Sequence, residues 1–571
     1  MERSTLETPD EMPGAAVPPA NTVPPDTTNK ELGSKIQKAG IVVLAAQLCV
    51  RLAGLVGKNI IPNYYDTGGN TLVADVFSHV NGSVLYFPFI LGEQCLAPAF
   101  LPVFTRAKTE QGEVRAWRYA SILFNFLLVM QVAVVAAFIC YPDFFGRLLT
   151  SWSPTDPDPK NASRYALFVR MLPYAAPSLI GLSMASLTYV ILTGYKKFFF
   201  AALGDVPLKL SIVGGAALGG LAAHWSPDRT DWRYIAGGAV AGGTLKFLTH
   251  LVALGWKRLR MFQFSFNLGD PYVRAFFALA LPLLGGIVVS QVRDQIIRRE
   301  ITVLPNLPTY YDLGTSLTGT IQILVPYTLS IALLPYFCDL SARDDNARLG
   351  ALLTSIIRLL IWFFVPVSIA CATGALPLCE IFFSGKNLQQ AQLIYPALVI
   401  SLFALQLPFV AIEMMVMQAF FSSKRVIAPT IAGVIFSVLT AAVVCAGIEY
   451  KLVTTPQGVL TLVALSLVVS RMLKAVLLIA MLRWTLPVLP VAETLSFVAR
   501  AAVAGIASFA LAYGASKLIR GEGRIRNVAQ IGAVGVAAFG TFIAVSLALR
   551  LDEPKQFARW TMEKLRRRGK K

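Results

Sequence analysis

Histidine is almost missing from this chain, and acids are scarce. Its 571 residues hold three histidines (His79, His224, His250) and 32 Asp plus Glu, and only 15% of residues are charged. The histidines are not grouped as metal ligands. No carboxylate pair with a neighbouring histidine suggests an intramembrane hydrolase. A phosphate-cradling loop ending in Lys-Ser or Lys-Thr is also lacking, so no ATPase is expected. Seven cysteines (Cys49, Cys95, Cys140, Cys338, Cys371, Cys379, Cys445) lie in or at the ends of apolar segments without ligand spacing, and read as small packing residues. Neither an enzyme nor a cofactor is implied. A cleavable signal peptide is not apparent. The first 35 residues are polar and Pro-rich and read as a disordered tail.

Apolar sequence is what the chain has in abundance. Hydrophobic residues make up 55% and mean hydropathy is +0.61. Runs of spanning length recur to the end, which makes this an all-α polytopic membrane protein. We count about 14 transmembrane helices, the first near 39–61 and the last near 527–550. The net charge of +19 would suggest nucleic acid in a soluble protein. Here it follows from Lys and Arg concentrated in alternate loops, which places both termini in the cytoplasm. One loop argues against that orientation, since Lys517, Arg520, Arg524 and Arg526 would lie outside.

Two stretches resemble each other across the chain. LAPAFLPVFTRAKTEQGEVRAWRYAS from Leu96 and LSIALLPYFCDLSARDDNARLGALLTS from Leu329 both end a helix on Leu-Pro-x-Phe, cross polar residues and enter another helix. A second pair, LTGYKKFFFAA and QAFFSSKRVIAP, forms basic hairpins. Parallel six-helix repeats around a central cavity are therefore expected, an architecture of transporters with substrate near the midplane. The division is a tail at 1–35, bundles at 36–260 and 261–485, an extra helix pair at 486–551 and a basic tail at 552–571.

Arg51 sits about halfway along the apolar run AGIVVLAAQLCVRLAGLVGKNII. A guanidinium at that depth costs a few kcal/mol on insertion scales, so it points to a wet cavity or an anionic ligand, or else to a partner carboxylate. Lys58 is a turn from the helix end, where snorkelling competes with a binding role. Asp75 could pair with Arg51 or Lys58. Glu93 lies at a helix end or break, where an acid caps amides or gates. In the seventh helix Arg293 lies deep in the apolar run, while Asp294 and Arg298 are spaced to neutralise each other. Glu413 would be a deep carboxylate, with Arg471 and Lys474 as candidate partners. From Glu553 the tail reads as a basic interfacial helix that binds anionic membrane lipids.

The segments RLAGLVGKNIIPNYY, ADVFSHVNGS and GEQCLAPAFLPVFTRAKTEQGE resemble the start of the MurJ/MviN family of lipid II flippases, at Arg51, Gly54, Asp75, Phe77, Glu93, Ala99, Phe100 and Pro102. LPLLGGIVVSQ is similar to that family's seventh helix and SIALLPYFCDLSA to the end of its eighth. The resemblance implies export of an undecaprenyl-diphosphate-linked muropeptide, lipid II, across the bacterial inner membrane by alternating access. Cell-wall synthesis proteins would be its partners. Arg51, Lys58 and Arg293 would bind substrate, and Asp75, Glu93 and Asp294 would gate or form ion pairs. The chain departs from the family where a second arginine is usual, having Gly57 there, and helix 11 lacks the Asn and Asp of a sodium site. Other readings are a flippase for another polyprenyl-linked oligosaccharide, a drug exporter of the same superfamily, or a non-transporting scaffold of envelope assembly.

Overall fold

The computed structural model describes residues 51–66, 71–85, 97–195, 197–225, 231–322, 333, 337, 340–341, 345–423, 427–484, 486–519 and 523–555. Every regular element among them is helical: α1 (51–64), α2 (Leu72–His79, continued by a π turn Val80–Leu85), α3 (Ala97–Cys140), α4 (Pro142–Leu149), α5 (Pro159–Ala175), α6 (Ser178–Gly194), α7 (Phe198–Leu203), α8 (Asp205–Trp225), α9 (Arg233–Leu254), α10 (Trp256–Leu259), α11 (Pro271–Ile301), α12 (Leu307–Gln322), α13 (Asn346–Thr373), α14 (Ala375–Phe383), α15 (Gln390–Ala404), α16 (Leu407–Ser422), α17 (Ile427–Glu449), α18 (Pro456–Arg483), α19 (Val491–Leu518) and α20 (Arg524–Ala548).

Local sequence sets the helix starts. Asp158, Asp270 and Thr455 each accept from a backbone N–H of the first turn, and each is followed by a proline whose missing N–H is no loss there. Proline also explains the bends. Among the described residues, eight helical stretches are long and apolar enough to cross a membrane. Three bent pairs, α5–α6 by 52°, the two parts of α11 by 50° and α15–α16 by 44°, raise that number to 11 among the described residues. Each break carries a proline (Pro177, Pro282, Pro408) that removes a helical hydrogen bond. The polar hairpin expected after Leu96 is instead helix on both sides of Gly112, whose φ of 84° reverses the chain without a Cβ penalty. The expected first, second and eighth spans run into residues outside those described, so the count of about 14 is not fixed by them.

In the N-terminal half, α8 and α9 lie backbone against backbone. A Cβ at Gly238 would sit 2.6 Å from the Ser211 carbonyl oxygen and one at Gly242 2.8 Å from that of Leu208. In lipid there is no hydrophobic drive between helices, so close van der Waals approach through small residues holds such a pair. Helix α11 belongs to both halves. Val273, Phe276 and Ala280 pack into the cluster built from α3 and α6, whereas Ile297 and Ile301 join the cluster of α12, α15 and α18. Helices α19 and α20 pack on each other and on α13, where Trp362 meets Ala504 and Phe542.

Candidate functional site: a cationic cleft beneath a sealed end

At one end of the bundle the two halves are zipped together. Asn63, at the top of α1, donates to the Phe383 carbonyl (3.0 Å) and accepts from the backbone N–H groups of Asn387 (3.1 Å) and Leu388 (2.9 Å). Asn387 returns a bond to the Pro62 carbonyl at 2.9 Å. Beside this, the Ser151 N–H donates to the Thr302 hydroxyl at 2.6 Å and Gln295 donates to the Ser83 carbonyl at 2.8 Å.

Asp75 is the centre of that seal, and its partner is Arg164 of α5, not Arg51 or Lys58. The Nε–Oδ2 distance is 2.7 Å and neither side chain is exposed. The same carboxylate accepts from the N–H of Asn306 (2.8 Å), the N–H of Thr309 (3.1 Å) and the Thr309 hydroxyl (2.6 Å). It thus caps α12 from the other half, where the helix dipole favours a negative charge. Arg164 is satisfied as fully, with Nη2 donating to Asn306 Oδ1 at 2.8 Å and Nη1 to the Lys160 carbonyl at 3.2 Å. Asn306 holds a φ of 71°, a left-handed conformation that asparagine tolerates. Nearby, in the α1–α2 connection, Asp66 accepts from the N–H groups of Val73 (2.8 Å) and Ala74 (3.0 Å). Burial pushes its carboxyl up to about 7, against the pull of those two donors.

Directly below the seal lies a partly open cleft, lined by α1, α2, α8 and α12, whose empty space of about 620 Å³ runs out into solvent. Its polar wall includes Lys58, Ser78, Asn81, Lys209, Thr309 and Asp312. Lys58 bridges the halves, Nζ lying 2.7 Å from Asp312 Oδ2 and donating to the Asp312 carbonyl at 3.2 Å. Arg51, Gly54 and Lys58 fall on one stripe of α1 (i, i+3, i+7), with Arg51 about 10 Å below Lys58 along the axis. The Lys209 stem runs beside Gly54, 4.0 Å from where a Cβ would stand. Lys209 is within electrostatic reach of both Lys58 and Arg51. Arg51 itself is half-buried and has no hydrogen-bonded partner among the described residues.

The structure separates Arg293 from this group. Its guanidinium makes two bonds to the adjacent Asp294 (2.9 and 2.8 Å) and one to the Ser437 hydroxyl of α17 at 3.3 Å. Asp294 therefore pairs with its neighbour in sequence, not with Arg298. The Arg298 guanidinium packs where a Cβ at Gly82 would stand. Glu413 does meet the suggested cations, with Lys474 Nζ at 2.7 Å and Arg471 Nε at 3.8 Å. Glu93 lies outside the described residues. Of the basic tail, Glu553 is described and pairs with Arg358 at 3.2 Å; residues 556–571 lie outside the description.

Sequence reasoning missed Arg164, Lys209 and Asp312. Arg164 follows a Pro- and Asp-rich connection and reads as the flank of a span. Lys209 was hidden in DVPLKLSIVGG, where a lone lysine near a helix start looks interfacial. The one available signal was that each follows a proline in the first turn of its helix, Pro159, Pro207 or Pro308.

The family described as lipid II flippase MurJ matches residues 67–530 of the chain. A probable lipid II flippase MurJ of Borreliella burgdorferi is 22% identical over 420 residues, covering 72% of this chain and 77% of that protein. Another from Bdellovibrio bacteriovorus is 23% identical over 415 residues, covering 71% and 75%. Among solved structures, lipid II flippase MurJ in an inward closed conformation aligns with a TM-score of 0.69 at 16% identity, over 89% of this chain and 99% of that one. An inward-facing multidrug resistance MATE transporter of the MOP superfamily aligns with a TM-score of 0.60 at 14% identity, over 78% and 99%. At these identities the structures speak to fold alone.

Proposed function

Since the chain belongs to the lipid II flippase MurJ family, we propose that it moves lipid II from the inner to the outer leaflet of a bacterial inner membrane by alternating access. The observation that carries this reading is the cleft, whose wall holds Lys58 and Lys209 and a single acid, Asp312, bridged to Lys58, with Arg51 on the same stripe of α1 as Lys58. A lipid-linked diphosphate in a low-dielectric cavity is stabilised by charge-assisted hydrogen bonds, and Arg51 offers a planar fork of donors for it. A drug exporter would be expected to present acids there instead.

In this reading the sealed end faces outward and both termini are cytoplasmic. Lys58 and Arg51 hold the diphosphate. Asp75 and Glu93 belong to the gate. Arg293, braced by Asp294, supplies positive charge from the second bundle. Residues 36–260 and 261–485 rock against each other, and the pair within 486–551 flanks the path of the isoprenoid tail. Transport of another polyprenyl-diphosphate glycan is the second reading, favoured by Gly57 standing where the family usually has an arginine. Complementation of a strain depleted of its own lipid II flippase tests the proposal. Growth with lipid II exposed on the outer leaflet supports it, and lysis despite normal insertion sinks it.

A further inference from the structure

The cleft and the seal share a helix, and that connection has a consequence for how a substrate would open the seal. Thr309 and Asp312 both stand on α12, three residues apart. Thr309 bonds Asp75 in the seal, and Asp312 bonds Lys58 in the cleft. Both bonds hold α12 to the N-terminal half, so anything that drives Asp312 away from α1 pulls on the seal one helical turn away.

The charges of the cleft show what would do so. Arg51, Lys58 and Lys209 are cations, and Asp312 is the acid that Lys58 contacts. The nearby Asp205 also acts on Lys209, but it is held by the buried Lys246 at 2.7 Å, so with that pair counted four cations still face two acids. The remaining excess of positive charge fits a dianion. Entry of one replaces Asp312 at Lys58 and sets two like charges side by side, which repel strongly at low dielectric unless they part.

Resting on the flippase reading above, we propose that Lys209 is a third diphosphate ligand and that Asp312 is a displaceable counter-ion. A bound diphosphate takes Lys58 from Asp312, repels α12, and so releases the seal at Asp75. An empty cleft keeps the bridge and stays shut. No covalent step is involved; one ion pair is exchanged for another.

The full chain in nanodiscs, with native cysteines replaced, can be spin-labelled at Thr155→Cys and Lys451→Cys. Both positions are exposed and adjoin the sealed end on opposite halves. Their separation is then read by double electron–electron resonance. The probes are inorganic pyrophosphate, a long-chain prenyl diphosphate and the matching prenyl monophosphate. Both diphosphates should lengthen the distance, the prenyl one at lower concentration, and the monophosphate should not. Asp312→Asn should give the long distance without ligand. Lys209→Gln should weaken diphosphate binding about tenfold, the size of a lost hydrogen bond to a charged group, and Lys209→Arg should restore it. The inference is overturned if neither diphosphate moves the labels, if the monophosphate acts equally, if Asp312→Asn stays closed, or if Lys209→Gln binds as wild type. Any of these alongside successful complementation would leave the flippase reading standing without this trigger. Failed complementation with diphosphate-driven opening would do the reverse.

Discussion

Two ion pairs stand where the halves of this protein meet, about one helical turn apart, and they are built differently: Lys58–Asp312 joins the halves itself, whereas Asp75–Arg164 lies within the N-terminal half and reaches the other through Asn306 and Thr309. Asp75–Arg164 is wholly buried, and four more donors from Thr71, Asn306 and Thr309 complete the carboxylate's shell. Lys58–Asp312 is about one-quarter exposed, opens onto a cleft and has further cations beside it. A saturated pair cut off from water has nothing left to offer a ligand; it can only hold or break. A half-exposed pair with surplus charge of one sign is already short of an anion. Burial and donor count, more than the presence of opposite charges, separate a latch from a binding site.

The sharpest way to break this contrast is at the latch. Asp75→Ala leaves Arg164 buried without its anion and should cost about 3–5 kcal/mol, read as a drop in the melting temperature of the purified protein. Arg164→Ala should cost about as much, and the double variant much less than the sum of the two. Additive losses would show that the pair is not a unit. In the cleft the pattern should invert. Arg51→Ala should cut transport by about 10–100-fold, as expected for a lost charged hydrogen-bond donor, with melting unchanged. Arg51→Lys should recover only part, since an ammonium lacks the fork. Full activity of Arg51→Ala in a leaflet-exposure assay would remove it from the mechanism.

Arg293 tests whether the second bundle contributes. A cysteine there should change its labelling rate severalfold when lipid II is added; no substrate-dependent change would confine it to the Asp294 and Ser437 contacts seen here. Smallest of all should be Glu493→Gln. Its carboxylate is 68% exposed and 3.7 Å from Arg358, so the loss should be about 0–1 kcal/mol. A larger drop would mean that exposure is a poor guide to which pairs matter in this fold.

The sequence alone settled the class of the molecule. Long apolar runs admit no alternative to spanning helices, because lipid leaves backbone polar groups no partner outside the helix. Ordered local motifs gave the family resemblance, and single charges in apolar runs marked Arg51, Lys58 and Arg293. The pairing of Glu413 with Lys474 was legible too, since few deep acids compete for few deep cations. Other partners were not. Asp75 could be matched to any cation at its depth, and only the packing of α5 and α12 around it chose Arg164. Asp294 was expected to reach Arg298 one turn on, yet the guanidinium next to it was closer. Lys209 joined the cleft because α8 packs beside α1, a pairing no single segment announces. Such choices depend on which helix faces which and at what rotation, and helical periodicity within one segment carries no information about its neighbours.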